Sequence, residues 1–316
     1  MTINKLTLSL LGWWIFAFST TLADQTQAEQ ARCIEQVGQA VKRLNVLLVS
    51  NHLPIMEFDP NNITIKSSYD RQRRLNFWKI RTPSHIYFDC LPKNCILVSV
   101  YRDFLYKNAP LYDSPPKPTW TPEQAIEKAK LWARAVLNDF PSDVGVPQVN
   151  FKPQMELPKY HDGEWEIRWP RVDSQGHSFD LDALHVHLSE KLGLVDVNLR
   201  FVSTFDEVQG KTISKEEAIE ASHSPAETLL HGDLARPYLP SGLQLGNATA
   251  SMWIMNPKDV FKSKTLTEMN TSEQTKARLA WVVVYPLMNG AAPVPDQNVE
   301  VWIDAQTKEV IGGDFH

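Results

Sequence analysis

The chain contains no G-x-S-x-G elbow, no H-E-x-x-H pair and no cysteine in a papain-type setting. Nucleophilic catalysis and zinc-protease chemistry therefore have no signature here, and an uncharacterised hydrolase ranks last among the readings. No cofactor motif is present. Beyond residue 23 no apolar stretch is long enough for a membrane span of ~20 residues. Neither sign of charge dominates: 32 Lys and Arg stand against 37 Asp and Glu, a net charge of −5, which leaves no electrostatic footprint for nucleic acid. The short basic cluster Arg71, Arg73, Arg74 reads as a solvated loop rather than a phosphate site.

What is present begins with a secretion signal. Lys5 precedes an apolar run from Leu6 to Phe18, and small residues at Thr21 and Ala23 come just before Asp24. This pattern predicts a signal peptide over residues 1–23 with cleavage between Ala23 and Asp24. The protein is then secreted or periplasmic, and touches a membrane only if the segment stays uncleaved. Removing 23 of the 316 residues leaves 293, enough for two domains or three small α/β units.

Three segments fall into register on a tryptophan: FWKIRTP (Phe77–Pro83), EWEIRWP (Glu164–Pro170) and AWVVVYP (Ala280–Pro286). Their shared pattern, W-x-[IV]-x-x-P, places Trp78 with Ile80, Trp165 with Ile167 and Trp281 with Val283 on one strand face each, and the proline marks where pairing should stop. Three matches in order indicate a repeat. A hairpin repeats behind them, as HIYFDCLPKNCILVSV, HVHLSEKLGLVDVNL and EVWIDAQTKEVIGG, with Asp89, Ser189 and Asp304 at equivalent places ahead of the turn. Alternation puts Ile86/Phe88, Val186/Leu188 and Val301/Ile303 on a core face. His85/Tyr87, His185/His187 and Glu300/Trp302 fall on an outer face.

Each sheet needs a helix to cover its apolar face. Thr121 with Gln124 opens AIEKAKLWARAVL, Ser214 with Glu217 opens AIEAS, and Thr26 with Glu29 could cap the helix beginning QARCIEQ. These are capping-box spacings, and Pro122 occupies the first helical position after Thr121.

The order [ST]-x-E-x-A-I-E helix, W-x-[IV] strand and VWIDAQTKEVIGG hairpin resembles the PepSY domain, and tandem copies in an exported chain are similar to secreted proteins of the YcdB/YcdC type. The resemblance implies an α+β fold of tandem PepSY-like, cystatin-like units, each an antiparallel sheet packed on one helix. The units are expected over 24–112 (degenerate), 113–205 and 206–316, the last with an irregular insertion at 231–250. The chain departs from the family at Lys308, where a turn glycine is usual, and at Pro92-Lys93, where Thr-Gly is usual.

Cys90 and Cys95 flank the tip of the first hairpin, so a short cross-strand disulfide between them is expected in an exported protein. Cys33 is then left over, as a buried small hydrophobe or a reactive thiol. The densest polar constellation is His177, Asp180, Asp182, His185 and His187. His185 and His187 share a strand face, and Asp182 could complete a zinc or copper set; the plainer reading is a solvent-tolerant slot. Tyr87 and Trp302 on the outer face form a candidate recognition surface unless a neighbouring unit covers them. His223 and His231 have no assigned role. The sequons at Asn62, Asn247 and Asn270 would matter only in a eukaryotic secretory route.

The expected function is a non-enzymatic binding or regulatory protein. By resemblance its partner is an extracytoplasmic peptidase, which it restrains, or another envelope protein. The alternatives are an envelope metal-binding protein using His185 and His187, and a scaffold without a ligand.

Overall fold

The computed structural model describes residues 6–70, 75–92, 94–102, 111–156, 159–201, 203–208, 210–232, 242–258 and 276–315, with backbone alone for 6–25, 70, 75 and 155–156. Arg71, Arg73, Arg74, Asn270 and residues 233–241 of the 231–250 insertion lie outside them. The fold is α+β. Helix α1 (Leu6–Ser50) precedes β1 (Thr64–Asp70), β2 (Leu75–Arg81), β3 (Ile86–Cys90) and β4 (Leu97–Arg102). Helix α2 (Pro122–Leu137) precedes β5 (Gln148–Glu156), β6 (Lys159–Val172), β7 (Ser178–Ser189) and β8 (Gly193–Arg200). Helix α3 (Lys215–His231) precedes β9 (Gln244–Leu245), β10 (Thr249–Met255), β11 (Arg278–Asn289), β12 (Ala292–Asp304) and β13 (Val310–Phe315).

The chain forms two compact units. The first holds residues up to 141 with 148–168 and 185–199, and the second holds 142–147, 169–184 and everything from 200 on. The segment 113–205 therefore contributes to both units. In the first unit β1, β2, β3 and β4 form an antiparallel meander, β4 continues onto β8, and β8 is followed by β7, β6 and β5. Helix α1 buries Cys33, Val37, Ala40, Val41, Leu44 and Leu48, a stripe at three- and four-residue spacing. Helix α2 buries Ala125, Ala129, Trp132, Ala133 and Val136. Arg43 of α1 donates to the carbonyls of Ala135 and Val136, capping the end of α2.

In the second unit β10, β11, β12 and β13 run antiparallel, β9 adds to β11, and Ile254 of β10 pairs in parallel with Phe179 of β7. Helix α3 covers this sheet with Ala218, Ala226, Leu229 and Leu230 against Val283, Tyr285, Val299, Val301 and Ile303. The described part of the 231–250 insertion is not irregular throughout, because it supplies β9 and the start of β10. Pro286 does not end its strand; it sits at the register shift between Pro286 and Met288.

The helix starts follow the sequence at two of three places. Thr121 and Ser214 each accept from the N3 backbone while Gln124 and Glu217 reach back to the cap N–H. Thr26 does not begin a helix, because α1 runs unbroken from Leu6 through it; Ala23 and Asp24 lie within the same helix.

The cysteine pairing differs from the expected one. Cys33 of α1 bonds to Cys95, with Cα atoms 4.8 Å apart, and Cys90 is a free, buried thiol. The hairpin register sets Cys90 opposite Leu97 rather than Cys95. Cys90 then points to the same face as Phe88, into the core, and its burial, with Asp89 beside it, pushes the thiol up to about 12. Helix α1 brings Cys33 to Cys95 across 62 residues of sequence.

Candidate functional site

The register of the first unit sorts its side chains into rows. Ile65, Ile80, Phe88, Val100 and Val197 lie opposite one another across β1, β2, β3, β4 and β8, and the last four of them are fully buried. The flanking rows turn to the other face because successive side chains alternate. One of them reads Thr64, Arg81, Tyr87, Tyr101, Asp196, and the other Lys66, Lys79, Asp89, Ser99, Asn198.

In the first of these rows Tyr87 and Tyr101 are direct cross-strand partners with ring centroids 6.5 Å apart. The Arg81 guanidinium lies 5.4 Å from the Tyr87 centroid and its Nη2 is 2.6 Å from His85 Nδ1. In the neighbouring row Lys79 reaches Asp89 at 3.8 Å. Tyr101 is 46% exposed and Tyr87 half-buried. The result is an aromatic pair edged by a cation, with Arg81 and Tyr101 exposed. Such surfaces combine apolar contact, cation–π attraction and directional hydrogen bonding, the mixture found at recognition sites.

Tyr87 thus stands where the sequence places it, but Trp302 does not. Trp302 is 2% exposed, packed with Met255, Val282 and Ile311 in the second unit. Lys258 donates its backbone N–H to Ile311 and sets its ammonium 4.6 Å from the indole centroid. The chain at 258 therefore covers a face that alternation alone marks as open. Gly312 permits this packing, since a Cβ there would lie 2.5 Å from Trp302 Cε3.

The candidate metal ligands are not brought together. Asp182 falls an odd number of residues from His185 and His187 along β7, so it points to the opposite face. It is fully buried and accepts from Arg171 Nη1 at 3.1 Å and from the Ser203 backbone and hydroxyl. Arg171 is held in turn by Asp143 at 3.1 Å and by the Ser203 carbonyl, over the rings of Phe179 and Phe201. His187 Nδ1 lies 3.7 Å from the buried Glu164, and His177 pairs with Asp173 at 3.0 Å. Among the described residues no group of three or more His, Cys, Asp or Glu is placed to hold a metal ion. His223 stacks edge-on to Tyr285 and His231 pairs with Glu227.

A concavity of the first unit, about 520 Å³, lies between α1 and residues 56–60, lined by Ile34, Gly38, Val41, Met56 and Phe58. The Asn45 side chain pairs reciprocally with the Met56 backbone and fixes that loop to the helix.

Sequence reasoning missed Arg81 and Tyr101. The available signal was pairing: alternation through LVSVYR puts Tyr101 with Ser99, and the hairpin register then sets Tyr101 opposite Tyr87. It also missed Glu190, which accepts from Trp165 Nε1 at 2.8 Å and from the backbone of Thr119 and Trp120. Burial works to raise the Glu190 carboxyl, but the Thr119 hydroxyl, the Trp120 N–H and the Trp165 indole together hold it below the usual carboxylate range. Beside it, Asp162 and the Tyr112 hydroxyl hold the Lys191 ammonium above its ordinary value.

No family model matches the chain, and no curated protein matches it. Among solved structures it is similar to the Bacillus megaterium YpeB C-terminal domain, at 12% identity and a TM-score of 0.37 over 80% of this chain and 88% of that one. It is also similar to an uncharacterized protein from Eubacterium rectale ATCC 33656, at 11% identity and a TM-score of 0.47 over 89% of this chain and 81% of that one.

Proposed function

We propose that the chain is an extracytoplasmic, non-enzymatic recognition protein built from PepSY-like units, and that it binds another protein through the outer sheet face of its first unit. The observation that carries this reading is the open Arg81–Tyr87–Tyr101 row, where aromatic area and a cation share a flat surface. The Cys33–Cys95 disulfide is compatible with an oxidising compartment. The PepSY-like repeat suggests a peptidase as partner; this step rests on resemblance, since a fold hosts many functions.

The test uses residues 24–316 as bait in the native extracytoplasmic fraction, together with a Tyr87→Ala/Tyr101→Ala variant. A stoichiometric peptidase that is retained and slowed by the parent chain, and released by the double variant, supports the reading. Retention of the same protein by both chains would remove the surface from the account. A captured partner without peptidase activity would leave recognition standing and remove the restraint of a peptidase.

A further inference from the structure

Strand β1 closes one side of the first unit's sheet, pairing with β2 through all seven residues and with no other strand among those described. Alternate residues of such a strand turn their N–H and C=O away from the partner, which makes a template for an added strand. The side chains say which strand would fit. On the outer face Lys66 stands directly opposite Lys79, and Thr64 opposite Arg81. Like charges facing each other across a ladder are destabilising, and Lys66 makes no ion pair or hydrogen bond with any described residue. The Asp89 carboxylate answers Lys79 from the far side, 3.8 Å away, which leaves the β1 side uncompensated. On the other face of β1 lie Ile65 and Tyr69, the latter 53% exposed.

From this we infer that the β1 edge accepts an extended segment of the partner polypeptide by strand addition, and that the segment alternates acidic and apolar residues. Its carboxylates meet Lys66 and the neighbouring Lys79 and Arg81, and its apolar side chains cover Ile65 and Tyr69. The same lysines turn away basic strands and a second copy of β1, which would set lysine against lysine. Strand addition obtains affinity from main-chain hydrogen bonds and selectivity from alternate side chains, and the two faces of β1 differ in the way that scheme needs. The inference rests on the proposed recognition function and names the chemistry of the segment recognised.

The test is fluorescence anisotropy of labelled seven-residue peptides with residues 24–316. The probe alternates Glu and Val; one control carries Lys for Glu, and a second keeps the three Glu but interrupts the strand with two Pro. The acidic strand should bind at least tenfold more tightly than either control at low salt, with the advantage over the Lys peptide shrinking as salt rises. The Lys66→Glu/Lys79→Glu variant should reverse the preference. Hydrogen exchange should slow at the backbone amides of 64–70 when the acidic peptide is bound. Equal binding of the acidic strand and the Pro-interrupted peptide, or acidic binding without protection in β1, would overturn the inference. Partner capture that is sensitive to Tyr87 and Tyr101, with no selection among peptides, would overturn it alone and leave the recognition function in place.

Discussion

The indole Nε1 of Trp281 donates to the carbonyl of Ile213 at 3.1 Å, one residue ahead of the N-cap Ser214. The strand tryptophan of the third repeat thus ties the sheet to the start of its helix. The second repeat makes the same connection through a carboxylate, with Trp165 donating to Glu190 and Glu190 accepting from Thr119 and Trp120, just before the N-cap Thr121. In the first repeat α1 has no start at the matching place, and Trp78 Nε1 is buried without a partner among the described residues.

Replacing each tryptophan by phenylalanine separates the tie from simple packing. Trp281→Phe should cost about 1 kcal/mol more than Trp78→Phe, the net contribution of one hydrogen bond. Urea denaturation midpoints of the two variants give the comparison, and equal losses would contradict the tie.

Glu190 makes this tie pH-dependent. Its carboxyl is held low in the folded chain, so the stability it contributes is present above the unfolded glutamate range, about 4.3, and is lost as pH falls through it and below. Urea midpoints followed from pH 6 to pH 3 should decline in the parent chain. Glu190→Gln should begin lower and decline less steeply. Parallel curves would show that Glu190 does not set the slope.

The disulfide assignment predicts two different outcomes for three cysteines. Cys33→Ser and Cys95→Ser should destabilise alike, by up to about 4 kcal/mol from the loop-closure entropy of a 62-residue separation. Cys90 should resist alkylation until the chain unfolds, since it is buried and its thiol is pushed up to about 12. Peptide mapping of the unreduced protein should recover Cys33 linked to Cys95; a Cys90–Cys95 link would refute the assignment.

The hairpin turns repeat at the level of single residues. Ser189 Oγ accepts from the N–H groups of Lys191 and Leu192, and Asp304 Oδ1 from those of Gln306 and Thr307. Four residues after each acceptor the backbone is left-handed, at Gly193 with φ 76° and at Lys308 with φ 64°. Lysine carries a Cβ penalty there that glycine lacks. Lys308→Gly should therefore raise thermal stability by up to about 1 kcal/mol, whereas Gly193→Ala should lower it, since its Cβ would also lie 2.6 Å from Leu53 Cδ1. A loss on Lys308→Gly would mean that the Lys308–Glu220 contact at 3.9 Å outweighs the backbone term.

Short-range chemistry was legible in the sequence. The capping boxes at Thr121 and Ser214, the turn acceptors Ser189 and Asp304 and the buried alternation of Ile86 with Phe88 follow from spacing within a few residues. What escaped depends on contacts made far along the chain. Cys33 meets Cys95, Glu190 meets Thr119, and the segment at Lys258 covers Trp302. The expected disulfide fails for the same reason: the hairpin register pairs Cys90 with Leu97, and Cys95 meets a cysteine of α1 instead.

Hydrogen exchange of residues 24–316, alone and saturated with its captured partner, tests the central claim most directly. The account predicts slower exchange confined to β1, β2, β3 and β4 around Arg81, Tyr87 and Tyr101, with the second unit unchanged. Protection confined to the second unit, with β1 to β4 exchanging as in the free chain, would contradict it.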